Sequence, residues 1–212
     1  RAPAGHQPEN HQLYGGHVNE LSFLCCSVLR NELELLLPPR YPAAEVVFLD
    51  AMLHMRPRAL EEELHLWLAQ RAGRQCVLVY GDCHAHMRED ASRPGCVRTA
   101  GANCGELLLG RKEYRRLRHE QAFLFLPEWT RRWREVFENQ LGFADRELAR
   151  EFMAETRKRL IYLDTGLEPP PVMTLADIEE FFAMKVEVLP VALDHLIEAI
   201  ALATARLPTA AP

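Results

Sequence analysis

Residues 76–114 read CVLVYGDCHAHMREDASRPGCVRTAGANCGELLLGRKEY and hold four of the six cysteines and two of the nine histidines of a 212-residue chain. The run CVLVY at 76–80 is continuous and β-branched, which predicts a strand buried on both faces. Gly81 turns the chain. Val97-Arg98-Thr99 predicts a short, weak strand, GANCG at 101–105 a turn, and 106–117 a helix with Asn103 or Cys104 at its cap. Strand, turn, loop, strand, turn and helix in that order belong to a parallel α/β sheet. Such sheets place their chemistry beyond the carboxyl ends of the strands, and that is where Cys83 and Cys104 fall.

Outward from this stretch the same alternation continues. Residues 20–26 (ELSFLCC) predict a first buried strand. Residues 27–37 carry Val28, Leu29, Leu33, Leu36 and Leu37 at helical spacing, with Ser27 as cap and Pro38-Pro39 as stop. Residues 45–50 (EVVFLD) predict a second strand, and 57–71 a helix burying Leu60, Leu64, Trp67 and Leu68. Further strands are predicted at 123–126, 160–164 and 185–189, with helices over 128–141, 145–159, 175–183 and 191–206. Together these predict an α/β fold: a three-layer, mostly parallel, doubly wound, Rossmann-like sheet of about six to seven strands. A single domain is expected over 20–206, preceded by a polar, disordered arm over 1–19 and followed by a tail over 207–212. Trp129 and Trp133, one helical turn apart, read as core, and the arginine-rich pieces RKEYRRLRHE and TRRWRE as solvated helix faces.

Composition excludes several function classes. A formal charge of -5 argues against a general nucleic-acid binder. No apolar run nears the roughly 20 residues of a membrane span. Neither a Gly-rich dinucleotide fingerprint nor a GK[ST] phosphate loop is present. Six cysteines in a chain with a good core and no visible secretion signal predict a reducing, cytoplasmic setting with free or metal-bound thiols.

Cys26, Cys83 and Cys104 each border a predicted strand end, so a parallel sheet would gather them at its carboxyl edge. Thiolates and imidazoles are the donors of zinc and related metals. The local run CHAH (Cys83, His84, His86) has no paired C-x-x-C beside it, so spacing leaves a metal site and unrelated buried cysteines both open. His54, in the loop after the second strand, reads either as solvated or as a ligand. Cys104 at a helix start is a candidate thiolate nucleophile, favoured by the helix dipole, with no histidine fixed as its base. A Cys83–Cys104 redox pair is a further reading, though the usual C-x-x-C is missing. Cys76 and Cys96 read as strand-packing residues.

The pieces LCCSVLRNEL, EVVFLDAMLHMRP, VLVYGDC, NCGELLLGRKEY, FLFLPEW and LIYLDTGL occur in that order. Together they resemble the bacterial and archaeal domain of unknown function 1638 family, from about residue 21 to residue 200. Cys26 with Leu29, His54 with Pro57, Tyr80-Gly81 with Cys83, and Cys104 opening the helix that carries Leu108 to Gly110 are the matching positions. The resemblance implies a metal set of Cys26, Cys83, Cys104 and His54, holding zinc or another transition metal. An open position on that metal would extend the reading to thiol or methyl-group handling. The resemblance also implies an association with corrinoid-dependent methyl transfer. The partner is then a corrinoid protein or methyltransferase, or the chain is a non-catalytic corrinoid- or tetrapyrrole-binding accessory protein. The chain departs from the family pattern at Ala102-Asn103, where the family carries His-Asp, and at the closing LPTAAP, where the family carries a Gly-His segment. The first departure removes a candidate partner for the ligands.

Overall fold

A computed structural model describes residues 21–208. The expected arm over 1–19 lies outside the described residues, as does the tail from 209 onward. β1 (Leu21–Cys26), β2 (Glu45–Leu49), β3 (Gln75–Val79) and β4 (Cys96–Arg98) form a parallel sheet in the order β2-β1-β3-β4. Phe23, Leu24 and Cys25 of β1 and Val77, Leu78 and Val79 of β3 are fully buried, as strands covered on both faces require. From β1 the chain steps sideways through α1 (Arg30–Arg40) to β2, then back past β1 through α2 (Pro57–Gln70) to β3. Right-handed crossovers in opposite directions put these two helices on opposite faces. The reversal opens a crevice between the carboxyl ends of β1 and β3.

The connection from β3 to β4 holds only a one-turn helix, α3 (Met87–Asp90). Beyond β4, α4 (Cys104–His119) carries the chain to a second parallel sheet of β5 (Ala122–Phe125), β6 (Arg159–Asp164) and β7 (Val186–Pro190), ordered β5-β6-β7. α5 (Pro127–Arg131), a π-helical turn (Glu135–Gln140) and α6 (Arg146–Thr156) lie between β5 and β6; α7 (Val172–Phe182) lies between β6 and β7. α8 (Asp194–Thr204) then returns to pack on α4, β3 and β4. The mostly parallel α/β expectation holds with all seven strands, which are divided between sheets of four and three. β4, with three residues, ends the first ladder. The second sheet has its own aromatic core, in which Phe181 and Phe182 meet edge-on at 4.9 Å and Phe137 meets Phe182 at 4.9 Å.

Three local expectations need correction. Ser27 does not cap a helix: the chain leaves β1 through a 3₁₀ turn (Ser27–Leu29), and the Ser27 hydroxyl accepts the Ala51 N–H at 2.8 Å. That bond ties the exit of β1 to the exit of β2. α1 runs on through Pro38 and Pro39 to Arg40, with both prolines in its last turns. The single helix predicted over 128–141 is broken into α5 and the π-helical turn. All six cysteines are free and buried, and Cys76 lies opposite Cys96 across the β3–β4 ladder as packing residues. No helix among the described residues is long and apolar enough to cross a membrane.

Candidate functional site

The first sheet delivers one candidate side chain from each of its four strand exits. Cys26 ends β1, His54 sits in the 3₁₀ turn after β2 (Ala51–Met55), Cys83 follows β3, and Cys104 opens the helix after β4. All four line one cavity of about 210 Å³. β5, an edge strand of the second sheet, lines the same cavity through Ala122, Phe123 and Leu124. Trp129 of α5 joins it and packs against His54, with ring centroids 5.3 Å apart.

Backbone contacts fix where Cys83 and Cys104 stand. Gly81 lets the 101–105 turn come against the exit of β3: an added Cβ would meet the Ala102 oxygen and Asn103 Cα at 2.4 Å. The Asp82 N–H donates to the Ala102 carbonyl at 2.9 Å. Arg98 donates to the carbonyls of Tyr80 (3.1 Å) and Gly101 (3.0 Å) and pairs with Asp82 at 2.9 Å, so one guanidinium joins both turns. Asn103 caps α4 by accepting the Glu106 N–H at 3.0 Å. On the cysteine-bearing side, Asp50 caps the His54 turn by accepting the Met52 N–H at 2.7 Å.

Another part of the cavity lining depends on a kink in α4. Gly110 has φ 71° and ψ 158°, a conformation only glycine adopts freely. The Asn103 amide donates to the Tyr114 hydroxyl at 2.5 Å. On a straight helix their Cα atoms would stand roughly 16 Å apart, beyond the reach of both side chains. The kink therefore folds the second half of α4 back over its own start, and it places Tyr114 and Arg118 on the cavity beside Cys104. Arg157, just before β6, completes this wall.

The three thiols are electrostatically unequal. Cys104 interacts directly with Cys26, and that contact is the main cause lowering the Cys26 thiol below its usual value, helped by the Val28 N–H against burial and Asp50. The same contact, together with burial, pushes Cys104 well up. Burial and the neighbouring Cys26 charge push Cys83 up to about 11. Burial holds His54 below the ordinary imidazole range, so the ring is neutral at pH 7. The expectation that the helix dipole favours a Cys104 thiolate is thus reversed. Its burial and a negative neighbour outweigh the helix end, and Cys26 is the thiol that ionises first.

The donors fit a soft or borderline cation in type: three thiols and one neutral imidazole around one cavity. Their spacing is looser, since no group of three or more His, Cys, Asp or Glu side chains among the described residues stands close enough to hold an ion. Loading would require rotations into the cavity and loss of the protons on Cys83 and Cys104. The CHAH run splits, with its first two residues buried and its last two exposed. Cys83 faces the cavity, His84 is buried 3.5 Å from Asp90, and His86 is exposed and pairs with Glu61 at 2.7 Å. Trp133 lies in the second core as expected, whereas Trp129 lines the cavity. Most arginines of the two basic pieces are paired on the surface, for example Arg134 with Glu138 at 2.6 Å and Asp177 at 2.7 Å. Arg118 lines the cavity, which the sequence reading missed. Its only sequence signal is Gly110, inside a run that otherwise reads as uninterrupted helix.

A family model described as "Protein of unknown function (DUF1638)" matches residues 48–200, a span that includes His54, Cys83 and Cys104 and starts after Cys26. No curated protein and no solved structure matches the chain.

Proposed function

We propose that this chain, which belongs to the DUF1638 family, binds a transition-metal ion, zinc by donor type, through Cys26, Cys83, Cys104 and His54. One observation carries the reading: four successive strand exits of one parallel sheet each contribute a zinc-type donor to the same buried cavity. Bound there, the ion would supply Lewis acidity and hold its sulfur donors as thiolates. The chain's own residues do the rest. The Cys26 thiolate is prepared by Cys104 and the Val28 N–H, and His54 is kept neutral by burial.

Loading must release the protons of Cys83 and Cys104, because burial and the Cys26 charge keep both thiols protonated at neutral pH. Affinity therefore rises with pH, by about tenfold per unit for each proton released. The test is elemental analysis of reduced, anaerobically purified protein, with Cys83→Ser beside it. Close to one equivalent in the wild type and a large loss in the variant support the reading. Less than about a tenth of an equivalent after incubation with zinc refutes it.

A thiol-chemistry reading is favoured by the Cys26–Cys104 contact, a thiolate beside a proton-bearing thiol. It separates cleanly: Cys83→Ser removes the metal but leaves the early ionisation of Cys26 in place. A cavity of about 210 Å³ lies below the roughly 300–1,000 Å³ of drug-sized sites, which favours a small occupant over a tetrapyrrole. A corrinoid-protein or methyltransferase partner draws no support from the cavity itself, and the cytoplasmic setting remains part of the proposal.

A further inference from the structure

Two guanidinium groups, those of Arg118 and Arg157, line the cavity, and among the described residues neither has a carboxylate partner. Arg157 donates one bond, to the Thr156 carbonyl at 2.8 Å, while its buried Nε has no acceptor. The Arg118 guanidinium makes no hydrogen bond or ion pair among the described residues, and Arg157 is pushed down by burial and then by the Arg118 charge. The Trp129 indole N–H, on the same cavity, is buried with no acceptor. No Asp or Glu among the described residues lines the space. Arg116 and Arg132, by contrast, are paired: Arg116 with Glu113 at 2.5 Å, and Arg132 with Glu135 at 2.8 Å and Asp50 at 3.0 Å. A structural role explains Arg118 only in part, through its place in the last turn of α4, where a cation suits the helix dipole. It does not explain a second, converging cation with an orphaned buried donor, since an unpaired buried donor carries its full desolvation cost.

We infer that this wall is an oxyanion subsite: Arg118, Arg157 and the Trp129 N–H hold the carboxylate, sulfonate or phosphate end of a small organic anion whose other end reaches the cysteines. Arginine matches such groups through its planar fork of donors. The volume admits a molecule of a few heavy atoms beyond the anionic group, not a nucleotide. The inference names the ligand class of the proposed site. It rests on reading that cavity as a binding site, but it does not require the metal.

The test titrates inorganic sulfate, inorganic phosphate and propionate into the full, reduced, chelator-treated chain by calorimetry. The expected result is saturable binding of at least one of them, with a dissociation constant on the order of 1 mM or below. Arg157→Gln and Arg118→Gln should each weaken it by about 10-fold or more, the loss of one charge-assisted contact. Arg157→Lys should keep part of the affinity. Arg115→Gln, on the exposed side of the same helix, controls for net charge and should bind as the wild type does. Should Arg157→Gln fold poorly, which its melting curve reports, the exposed Arg118 carries the comparison. The absence of saturable binding in the wild type overturns the inference, as does an equal loss in Arg115→Gln and Arg118→Gln. Because no metal is present, these outcomes are independent of the zinc analysis. A chain that binds zinc but no anion, or the anion but no zinc, separates the two proposals.

Discussion

Replacing Gly81 with alanine tests how the site is assembled. The added Cβ would stand 2.4 Å from the Ala102 oxygen and Asn103 Cα, and 2.5 Å from the Asn103 nitrogen. All three are backbone atoms, so no side chain can swing aside. Ordinary contact begins near 3.4 Å, so the 101–105 turn must withdraw by about 1 Å. Overpacking of this kind costs about 1–3 kcal/mol, or about 2–12 °C in Tm for a chain of this length. The same withdrawal pulls Cys104 from Cys26, so the Cys26 thiol should titrate at higher pH than in the wild type. Zinc affinity, where the metal site holds, should fall by about 10- to 100-fold. The assays are thermal melting, pH titration of thiolate absorbance, and competition with a chelator. Gly73→Ala is the control: its φ of +84° imposes strain, but nothing lies within 4 Å of the new Cβ. It should cost about 1–2 kcal/mol and leave the thiols alone. A Gly81→Ala protein that melts with the wild type and keeps its thiol titration would refute the view that this close approach sets the site.

Three further outcomes follow from the same geometry. Cys104→Ala should raise the Cys26 titration, whereas Cys104→Ser, whose hydroxyl still donates, should keep it low; thiolate absorbance against pH distinguishes them, and no shift in the alanine variant would assign the effect to the Val28 N–H instead. Asn103→Ala loses both the α4 cap and the bond to Tyr114, so it should cost about 1–2 kcal/mol by urea unfolding, while Asn103→Asp restores the cap alone and recovers only part. Glu32 is 2% exposed and accepts the Thr165 hydroxyl at 2.8 Å, and its burial raises the carboxyl pKa. The cost of its charge is absent below the unfolded-state value and grows as pH rises through the unfolded and then the folded value. Glu32→Gln should therefore stabilise the chain at pH 7 and change nothing at the acid end; equal gains at both would count against this.

The strands were legible because their signal is short-range. CVLVY, EVVFLD and LIYLDT each carry enough β-branched or apolar side chains to declare a buried strand, and each lies within a residue or two of its place. The gathering of Cys26, Cys83 and Cys104 was legible for a topological reason, since parallel strands share one carboxyl edge. His54 was open from its loop position, as solvated or as a ligand, and only the family resemblance set it beside the cysteines, because nothing in its spacing separates the two readings. Local pattern does not reveal which strands share a sheet. β4 and β5 both read as strands, yet a three-residue β4 and the aromatic partners of Phe125 decide that β5 pairs elsewhere. The fold-back at Gly110 was equally hidden. One glycine in a 16-residue helical pattern is common, and here only the tertiary bond between Asn103 and Tyr114 shows what it does.

The division into two sheets is also what makes the cavity chemically unusual. At the edge of one open sheet, three cysteines and a histidine would meet water, and their thiols would titrate near ordinary values. Here β5, Trp129 and the returning half of α4 close the carboxyl edge, and burial then separates the thiols from one another. Burial of the three thiols disfavours several thiolates together, so the site favours one: Cys26, supported by Cys104. The unpaired Arg118 and Arg157 supply positive charge to the same cavity, where no carboxylate among the described residues answers it. Zinc loading would exchange two thiol protons for a dication and leave the net charge of the cysteine set unchanged. Zinc should therefore alter the affinity for an oxyanion little, and the oxyanion that for zinc by the same small factor. An anion affinity that changes by more than about tenfold on adding zinc, measured in one protein preparation that binds both, would refute this charge balance.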